Sequence, residues 1–168
     1  MLIRSVFVGC GSFQPSRVLS NSDLASYFDT SDEWIRTRTG IESRAVVGKD
    51  ELTSDIAVRA ACEAIDNAGL TPEDIDMILL ATTTPDRVLP ATAVYIQKAL
   101  GLVNAFAFDI QAVCAGFIYA VVTADSFIAS KRARNVLVIG ADTMSRILDW
   151  HDRTTAVLFG DGADRKST

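Results

Sequence analysis

The sequence has few of the residues that metal sites and disulfide frameworks need. Its 168 residues include one histidine and three cysteines, Cys10, Cys62 and Cys114, which stand far apart in the chain. No CxxC pair and no spacing typical of a disulfide-rich protein occurs, and a single histidine cannot complete a zinc motif. We therefore expect reduced thiols and no structural metal.

Positive charge and long apolar segments are also scarce. Lysine and arginine number 16 against 21 aspartates and glutamates, which gives a formal net charge of −5. A general nucleic-acid-binding protein would present a basic surface, whereas here the basic groups are local, at Arg36, Arg38 and Arg44 and in the run 131–134. No apolar run reaches the ~18 residues that span a bilayer, and the first nine residues lack the features of a signal peptide. We expect a cytoplasmic protein with no nucleic-acid or membrane partner.

What the chain does contain is typical of one globular domain. Hydrophobic residues make up 49% and charged residues 22% of the sequence, with no low-complexity tract, and the length suits a single core. Apolar segments predict strands at 3–9, 77–82, 105–110, 135–142 and 156–163. Amphipathic or capped segments predict helices at 21–28, from 30 or 31 to 35, from 53 or 54 to 68, at 92–100 and at 114–131, with a further helix start at 71–74. This alternation indicates an α/β fold whose largely parallel sheet is covered by helices on both faces.

Cys114 is the leading candidate for a functional residue because of its position. It follows a predicted strand and opens a predicted helix, and Ala115 and Gly116 come directly after it. Unpaired N–H groups and the macrodipole at a helix N-terminus favour the thiolate, which is the form that attacks carbonyls. Free cysteines are more often small buried apolar residues, but the strand-to-helix junction favours a nucleophile here.

Several segments, in this order and spacing, resemble the beta-ketoacyl-acyl-carrier-protein synthase III family of the thiolase superfamily. They are DTSDEWI (29–35), RTGI (38–41), ATTT (81–84), FDI (108–110), AVCAGF (112–117), DR (152–153) and FGDGA (159–163). The resemblance covers almost the whole chain up to Ala163. It implies the N-terminal half of a layered αβαβα thiolase-like fold, with a condensing-enzyme domain over 1–163 and a divergent tail over 164–168.

The same resemblance implies a function. Family members begin fatty acid synthesis by decarboxylative condensation of a primer acyl-CoA, of the acetyl-CoA class, with malonyl-acyl-carrier protein. Cys114 would hold the acyl group as a thioester, and Trp34 would stack on the CoA adenine, with Arg38, Arg153 and Thr30 beside the nucleotide and its phosphates. Coenzyme A enters as substrate, and no cofactor is implied.

Two further residues correspond to the acyl pocket of the family. Leu89 stands where members carry a residue that closes the pocket of the partner subunit, and Phe159 lies near the same region. The catalytic histidine and asparagine of the family come from a C-terminal half that these 168 residues do not include. His151, the single histidine, falls outside that motif and is interpreted as a surface loop residue.

The end of the sequence leads to a further expectation. The family pattern would continue after Ala163 with a glycine and an apolar strand, whereas this chain has DRKST. We expect a truncated form that does not condense, with an apolar face covered by a homodimer partner or a complementary C-terminal half. Two alternatives stay open: a sister thiolase-superfamily acyltransferase using the same cysteine, and a non-catalytic fragment that binds CoA or another subunit.

Overall fold

The computed structural model describes residues 5–167, and the side chains through Asp164. The strands are β1 (Gly9–Phe13), β2 (Arg17–Ser20), β3 (Ser43–Val46), β4 (Met77–Ala81), β5 (Phe106–Ile110), β6 (Val136–Thr143) and β7 (Asp161–Ser167). The α-helices are α1 (Asn21–Leu24), α2 (Asp32–Thr39), α3 (Thr53–Asn67), α4 (Thr92–Ala99), α5 (Gly116–Ala129) and α6 (Arg153–Ala156). Short 3-10 turns occupy Pro72–Asp74, Val113–Ala115 and Met144–Arg146.

Five strands form one mixed sheet in the order β1-β7-β6-β4-β5. Strand β4 runs parallel to both β5 and β6, while β7 is antiparallel to β6 and β1. Strands β2 and β3 form a separate antiparallel pair. Helices α3 and α4 pack on one face of the large sheet and α5 packs on the other, which confirms the predicted α/β class.

The central strands are buried on both faces, as their continuous apolar runs predict. Ile78 and Leu80 of β4 pack with α3 and α4, and Met77 and Leu79 of the same strand pack with α5. All four side chains are fully buried. The alternation follows from the two-residue period of a strand, because successive side chains point to opposite faces. It places the two helical layers on either side of one apolar sheet.

The predicted strand at 3–9 is wrong in its bounds. Residues 5–8 have no regular structure, β1 begins at Gly9, and Ile3 and Arg4 lie outside the described residues. Gly9 and Gly11, which in the sequence suggest a turn after that strand, are themselves residues of β1. A Cβ atom on Gly11 would stand 2.6 Å from the carbonyl oxygen of Ala60, so this strand requires glycine for close packing rather than for a turn.

The predicted strand at 156–163 is also wrong. Asp152 caps the short helix α6 by accepting a hydrogen bond from Thr154 N, and Ala156 and Val157 are buried after it. The strand begins later, at Asp161, and continues through residues 164–167, which the sequence suggested were a divergent tail. The polar sequence of residues 164–167 does not indicate a strand, although the backbone of β7 pairs with β6 on one side and β1 on the other.

Helix boundaries agree better with the sequence, with three corrections. Helix α1 ends at Leu24 instead of residue 28, and its N-cap is Ser20. Hydrogen bonds from Ser20 hold the pKa of the Asp23 carboxyl below its ordinary value. The helix predicted from Cys114 begins at Gly116, after the 3-10 turn that contains the cysteine. Of the two residues predicted to begin α2, Ser31 is the N-cap, and the helix continues to Thr39 instead of ending at residue 35.

Four polar side chains form a buried network at the carboxyl ends of β4 and β6. Thr53 Oγ1, on the first residue of α3, donates to Thr84 O at 2.6 Å and lies 2.7 Å from Thr143 Oγ1. Thr84 Oγ1 accepts from Thr143 N at 2.7 Å and donates to Asp142 Oδ1 at 2.9 Å. The network fixes the loop after β4 to the end of β6.

One side of the chain remains apolar and exposed. On α5, Ile118, Tyr119 and Val122 are each more than half exposed, and Phe106 on the adjacent edge strand β5 is also exposed. This confirms the expectation that these residues alone leave an apolar face uncovered. Within residues 5–167, no helix has both the length and the hydropathy to cross a membrane.

Candidate active site

Cys114 lies at the carboxyl edge of the sheet, between the end of β5 and the start of α5. Its side chain is exposed. The preceding residue, Val113, has a φ of +48°, a left-handed conformation that is a genuine outlier for a β-branched residue and costs on the order of 1–2 kcal/mol. The turn is therefore strained, and strain of this kind is concentrated at functional positions.

The cysteine opens onto a cleft of about 620 Å³. Open α/β sheets bind ligands at the carboxyl ends of their strands, and β4, β5 and β6 all end beside this cleft. Its lining is formed by Ser12, Phe13, Gln14, Ala81, Val113, Cys114, Phe117, Gly140, Ala141, Asp142, Gly160, Asp161, Gly162, Ala163 and Asp164. The position predicted for the nucleophile is thus also the position of a ligand-sized cleft.

Two carboxylates of the cleft hold its walls in place. Asp142 Oδ1 accepts hydrogen bonds from the Thr82 hydroxyl and from the backbone N–H groups of Thr83 and Thr84. Asp161 is buried and accepts from Val47 N at 2.7 Å and Ser145 N at 2.8 Å. Sequence reasoning did not single out either residue, although a polar residue at the end of an apolar strand is a usable signal for Asp142.

The start of α5 presents backbone donors next to Cys114. The helix has 14 residues, and no side chain caps its N-terminus, so its first N–H groups have no partner from a capping side chain. Together with the helix dipole they favour negative charge at this end. Among the described side chains that line the cleft, the ionisable groups besides Cys114 are aspartates, with no histidine, lysine or arginine.

A second constellation surrounds Trp34. The guanidinium carbon of Arg38 lies 4.4 Å from the centre of the indole ring, and that of Arg153 lies 4.5 Å from it. Arg38 follows Trp34 by one turn of α2, whereas Arg153 is the first residue of α6 and donates to Asp29 O at 3.2 Å. The structure therefore brings together three of the four residues predicted to bind CoA.

The fourth residue, Thr30, lies just before the Ser31 cap of α2. Its Oγ1 is shielded from solvent and has no hydrogen-bond partner within the described part of the chain. Buried hydroxyls are normally paired, and an unpaired one is unfavourable. A ligand group that bonded to Thr30 would remove this cost.

The remaining predicted positions do not line the Cys114 cleft. Leu89 is 77% exposed in the segment between β4 and α4, and Phe159 is partly exposed next to Gly160, which does line the cleft. The role of both residues in an acyl pocket stays a prediction. His151 is exposed beside Trp150 at a separate cleft, as expected for a surface loop residue.

Arg44 is buried, although its sequence neighbours suggest an exposed position. It stands near Arg36 and Arg38 in the chain and suggested a local basic surface, but its side chain is 5% exposed. The sequence does not indicate that Arg44 is buried, because a four-residue strand such as β3 is too short to show a hydrophobic period.

Comparison with known proteins supports the resemblance. A family model described as 3-Oxoacyl-[acyl-carrier-protein (ACP)] synthase III matches residues 108–164. The chain is 59% identical over 162 residues to the beta-ketoacyl-[acyl-carrier-protein] synthase III of Agrobacterium fabrum (strain C58), a match that covers 96% of this chain and 50% of that protein. The chain thus spans about half the length of the curated relatives it matches.

Solved structures show the same similarity. The 3-oxoacyl-[acyl-carrier-protein] synthase III of Aquifex aeolicus VF5 superimposes with a TM-score of 0.93 at 51% identity, over 96% of this chain and 52% of that one. The corresponding synthase of Pseudomonas aeruginosa PAO1 also gives 0.93, at 44% identity, over 98% of this chain and 51% of that one. The predicted thiolase-like half-fold is confirmed.

Proposed function

We propose that this chain, which corresponds in sequence and fold to the N-terminal half of a beta-ketoacyl-[acyl-carrier-protein] synthase III, carries the acyl-accepting site of that condensing enzyme. The observation that carries the proposal is the exposed Cys114 on its strained turn, next to the uncapped start of α5 and a cleft of about 620 Å³. The chain spans half the length of its relatives, so the proposal concerns what these residues do within the reaction.

In the first half-reaction the Cys114 thiolate attacks the thioester carbonyl of an acyl-CoA, of the acetyl-CoA class. A new C–S bond forms, and the carbonyl electrons move onto oxygen; the carbonyl then reforms and CoA leaves as its thiolate, which takes up a proton. The positive end of the α5 dipole, which no side chain caps, suits the negative charge that develops in this step. No cofactor takes part, and the acyl group remains on the cysteine.

The Trp34 constellation would hold the nucleotide of CoA. A flat indole face suits adenine stacking, and the guanidinium groups of Arg38 and Arg153 suit phosphates. Arg153 lies 4.5 Å from the ring centre, which leaves no room for a second ring between them. Arg38 lies equally close, at 4.4 Å, so adenine stacking displaces whichever guanidinium group covers the indole face that it uses.

The second half-reaction needs groups that the described cleft does not contain. Malonyl-acyl-carrier protein loses carbon dioxide, and the resulting carbanion attacks the acyl carbonyl on Cys114; a C–C bond forms, the C–S bond breaks and Cys114 leaves as its thiolate. Stabilising the enolate that precedes this attack requires fixed hydrogen-bond donors, each worth on the order of 100-fold or more in rate. The charged side chains of the described lining are aspartates, which oppose negative charge, so these 168 residues alone should acylate without condensing.

The exposed face of α5 and β5 bears on the partners of the chain. An apolar patch of this kind marks an interface. Its coverage by a second copy of the chain or by a complementary C-terminal half is part of the proposal, as is a location in the cytoplasm.

The experiment that tests the proposal separates the two half-reactions. The purified chain is incubated with acetyl-CoA and its intact mass measured, and malonyl-acyl-carrier protein is then added and the products are analysed. We expect the mass of one acetyl group to be gained and no ketoacyl product to appear. A folded chain that gains no acetyl group contradicts the acyl-accepting role, and turnover to ketoacyl product contradicts the division between the half-reactions.

Replacing Trp34 with leucine is expected to weaken CoA binding by about 5- to 150-fold, because stacking of a base on an aromatic side chain contributes roughly 1–3 kcal/mol. Isothermal titration calorimetry with CoA measures the effect. Trp150→Phe is the matched control, since Trp150 is the other tryptophan and donates its Nε1–H to Ser145 O. Equal affinity in the Trp34→Leu variant and the unsubstituted chain would remove Trp34 from the site.

A further inference from the structure

Arg44 is a buried cation held by neutral acceptors. Its Nη1 donates to Leu19 O and Ser20 O at 3.3 and 3.4 Å, and its Nη2 donates to Asn21 Oδ1 at 2.7 Å and to Val157 O at 3.3 Å. No carboxylate within residues 5–164 forms an ion pair with it. Burial lowers the pKa of this guanidinium, as expected for a charge taken out of water. Burying a guanidinium without a carboxylate partner costs free energy, and the hydrogen bonds of Arg44 indicate what this burial does for the structure.

On one side, Arg44 is connected to both ends of α2 through Asn21. The Asn21 amide accepts from Arg44 and donates to Asp32 Oδ1 at 2.9 Å and to Ile41 O at 2.7 Å. Asp32 is the first residue of α2 and Ile41 lies just beyond its last. Asn21 is 1% exposed, so these bonds are sheltered from water. The helix that carries Trp34 and Arg38 is thereby fixed to the Arg44 guanidinium.

On the other side, Arg44 is bonded to the end of α6. Val157, whose carbonyl accepts from Arg44, directly follows the helix that begins with Arg153. The Val157 side chain packs in an apolar cluster with Leu24 and Ile35, and Ile35 is a residue of α2. One guanidinium therefore ties α2 and α6 together, and these are the two elements that place Trp34 and Arg153 in contact.

We infer that Arg44 is a positioning residue for the CoA site, which sets the spacing between Trp34 on α2 and Arg153 on α6; the inference rests on the proposed function of that site. Arg44 does not belong to the group formed by Trp34, Arg38 and Arg153, and it acts on that group through Asn21 and the Val157 carbonyl. Lysine cannot replace it, because a single ammonium lacks the planar fork of donors that reaches acceptors on separate segments.

Arg44→Lys tests the inference, because a positioning residue of the CoA site should change the affinity for CoA but not the acylation rate at saturating acetyl-CoA. We expect the Kd for CoA, measured by calorimetry, to rise about tenfold, and the acylation rate at saturating acetyl-CoA to change by less than about twofold. The matched control is Arg36→Lys, since Arg36 is an exposed arginine of α2 paired with Glu42. This control should leave the Kd for CoA unchanged.

Asn21→Ser decides the matter if Arg44→Lys does not fold. Serine breaks the connection to α2 but leaves the bonds from Arg44 to Leu19, Ser20 and Val157, so the Kd for CoA should again rise. Unchanged affinity in a folded variant overturns the inference, and so does a parallel loss of affinity and saturated acylation rate, which marks a general structural role. If Trp34→Leu leaves CoA binding unchanged, the proposed CoA site fails instead.

Discussion

Replacing Cys114 with serine should abolish acetylation of the chain by acetyl-CoA, whereas replacing Cys10 or Cys62 should leave it intact. All three cysteines are free and exposed, so access to reagent does not distinguish them. Their positions do, because Cys114 alone of the three lines the cleft at the carboxyl ends of the strands. Loss of a catalytic nucleophile commonly costs on the order of 10⁶ in rate, and a serine hydroxyl at neutral pH is a weak substitute for a thiolate.

Intact-mass analysis after a fixed time with acetyl-CoA measures this result, with a peptide map to locate the acetyl group. The rate in the Cys114→Ser variant should fall by more than about 10³-fold, while the Cys10→Ser and Cys62→Ser variants retain the parent rate. Acetylation that persists without Cys114, or that maps to Cys62, would show adventitious thiol reactivity. Iodoacetamide labelling of each variant gives the intrinsic accessibility for comparison.

Replacing Gly11 with alanine is expected to destabilise the chain by about 2 kcal/mol or more, since overpacking a close contact commonly costs about 1–3 kcal/mol. The added Cβ would stand 2.6 Å from Ala60 O and 2.7 Å from Ala64 N. Both atoms belong to the backbone of α3 and cannot rotate away. Urea unfolding followed by circular dichroism measures the difference in the free energy of unfolding.

Gly48→Ala is the matched control for this prediction. A Cβ on Gly48 meets nothing within 4 Å, and its φ lies outside the left-handed range, so the change should be close to neutral. The contrast matters for the site because the last two residues of β1, Ser12 and Phe13, and the following Gln14 line the Cys114 cleft. Similar unfolding free energies for the two variants would mean that β1 does not pack on α3 in this way.

Elements with a strong local pattern could be predicted from the sequence. The runs that form β4 and β6 are apolar at nearly every position, and α3 shows a regular apolar stripe bounded by Thr53 and Gly69. The bounds of strands β1 and β7 could not be predicted, because these strands form through contacts with residues far away in the sequence. Glycines occupy β1 to admit α3, and polar residues form β7 because its backbone pairs with strands on both sides.

The same distinction applies to the site. Cys114 follows from its place between a strand and a helix, whereas Trp34 and Arg38 are indicated by the family resemblance, since the helix predicted to end at residue 35 does not include Arg38. Arg153 joins them from 115 or more positions away in sequence, and only the family resemblance indicated it. Arg44 and Asp161 have roles that depend on what is buried around them, and the proposed role of Leu89 depends on another subunit.

The hydroxyl network around Thr53, Thr84 and Thr143 has a consequence for how the parallel strands find their alignment. Because β4 is apolar throughout and the first four residues of β6 are apolar, sliding one strand past the other by two residues would keep every side chain on its own face. Hydrophobicity alone scarcely penalises that slip. The slip would separate Thr84 from Thr143 and leave buried hydroxyl and amide groups unpaired, at about 1–3 kcal/mol each. Burial of apolar surface thus brings β4 and β6 together, and the hydrogen bonds of the three threonines favour the observed register, in which both strands end beside the Cys114 cleft.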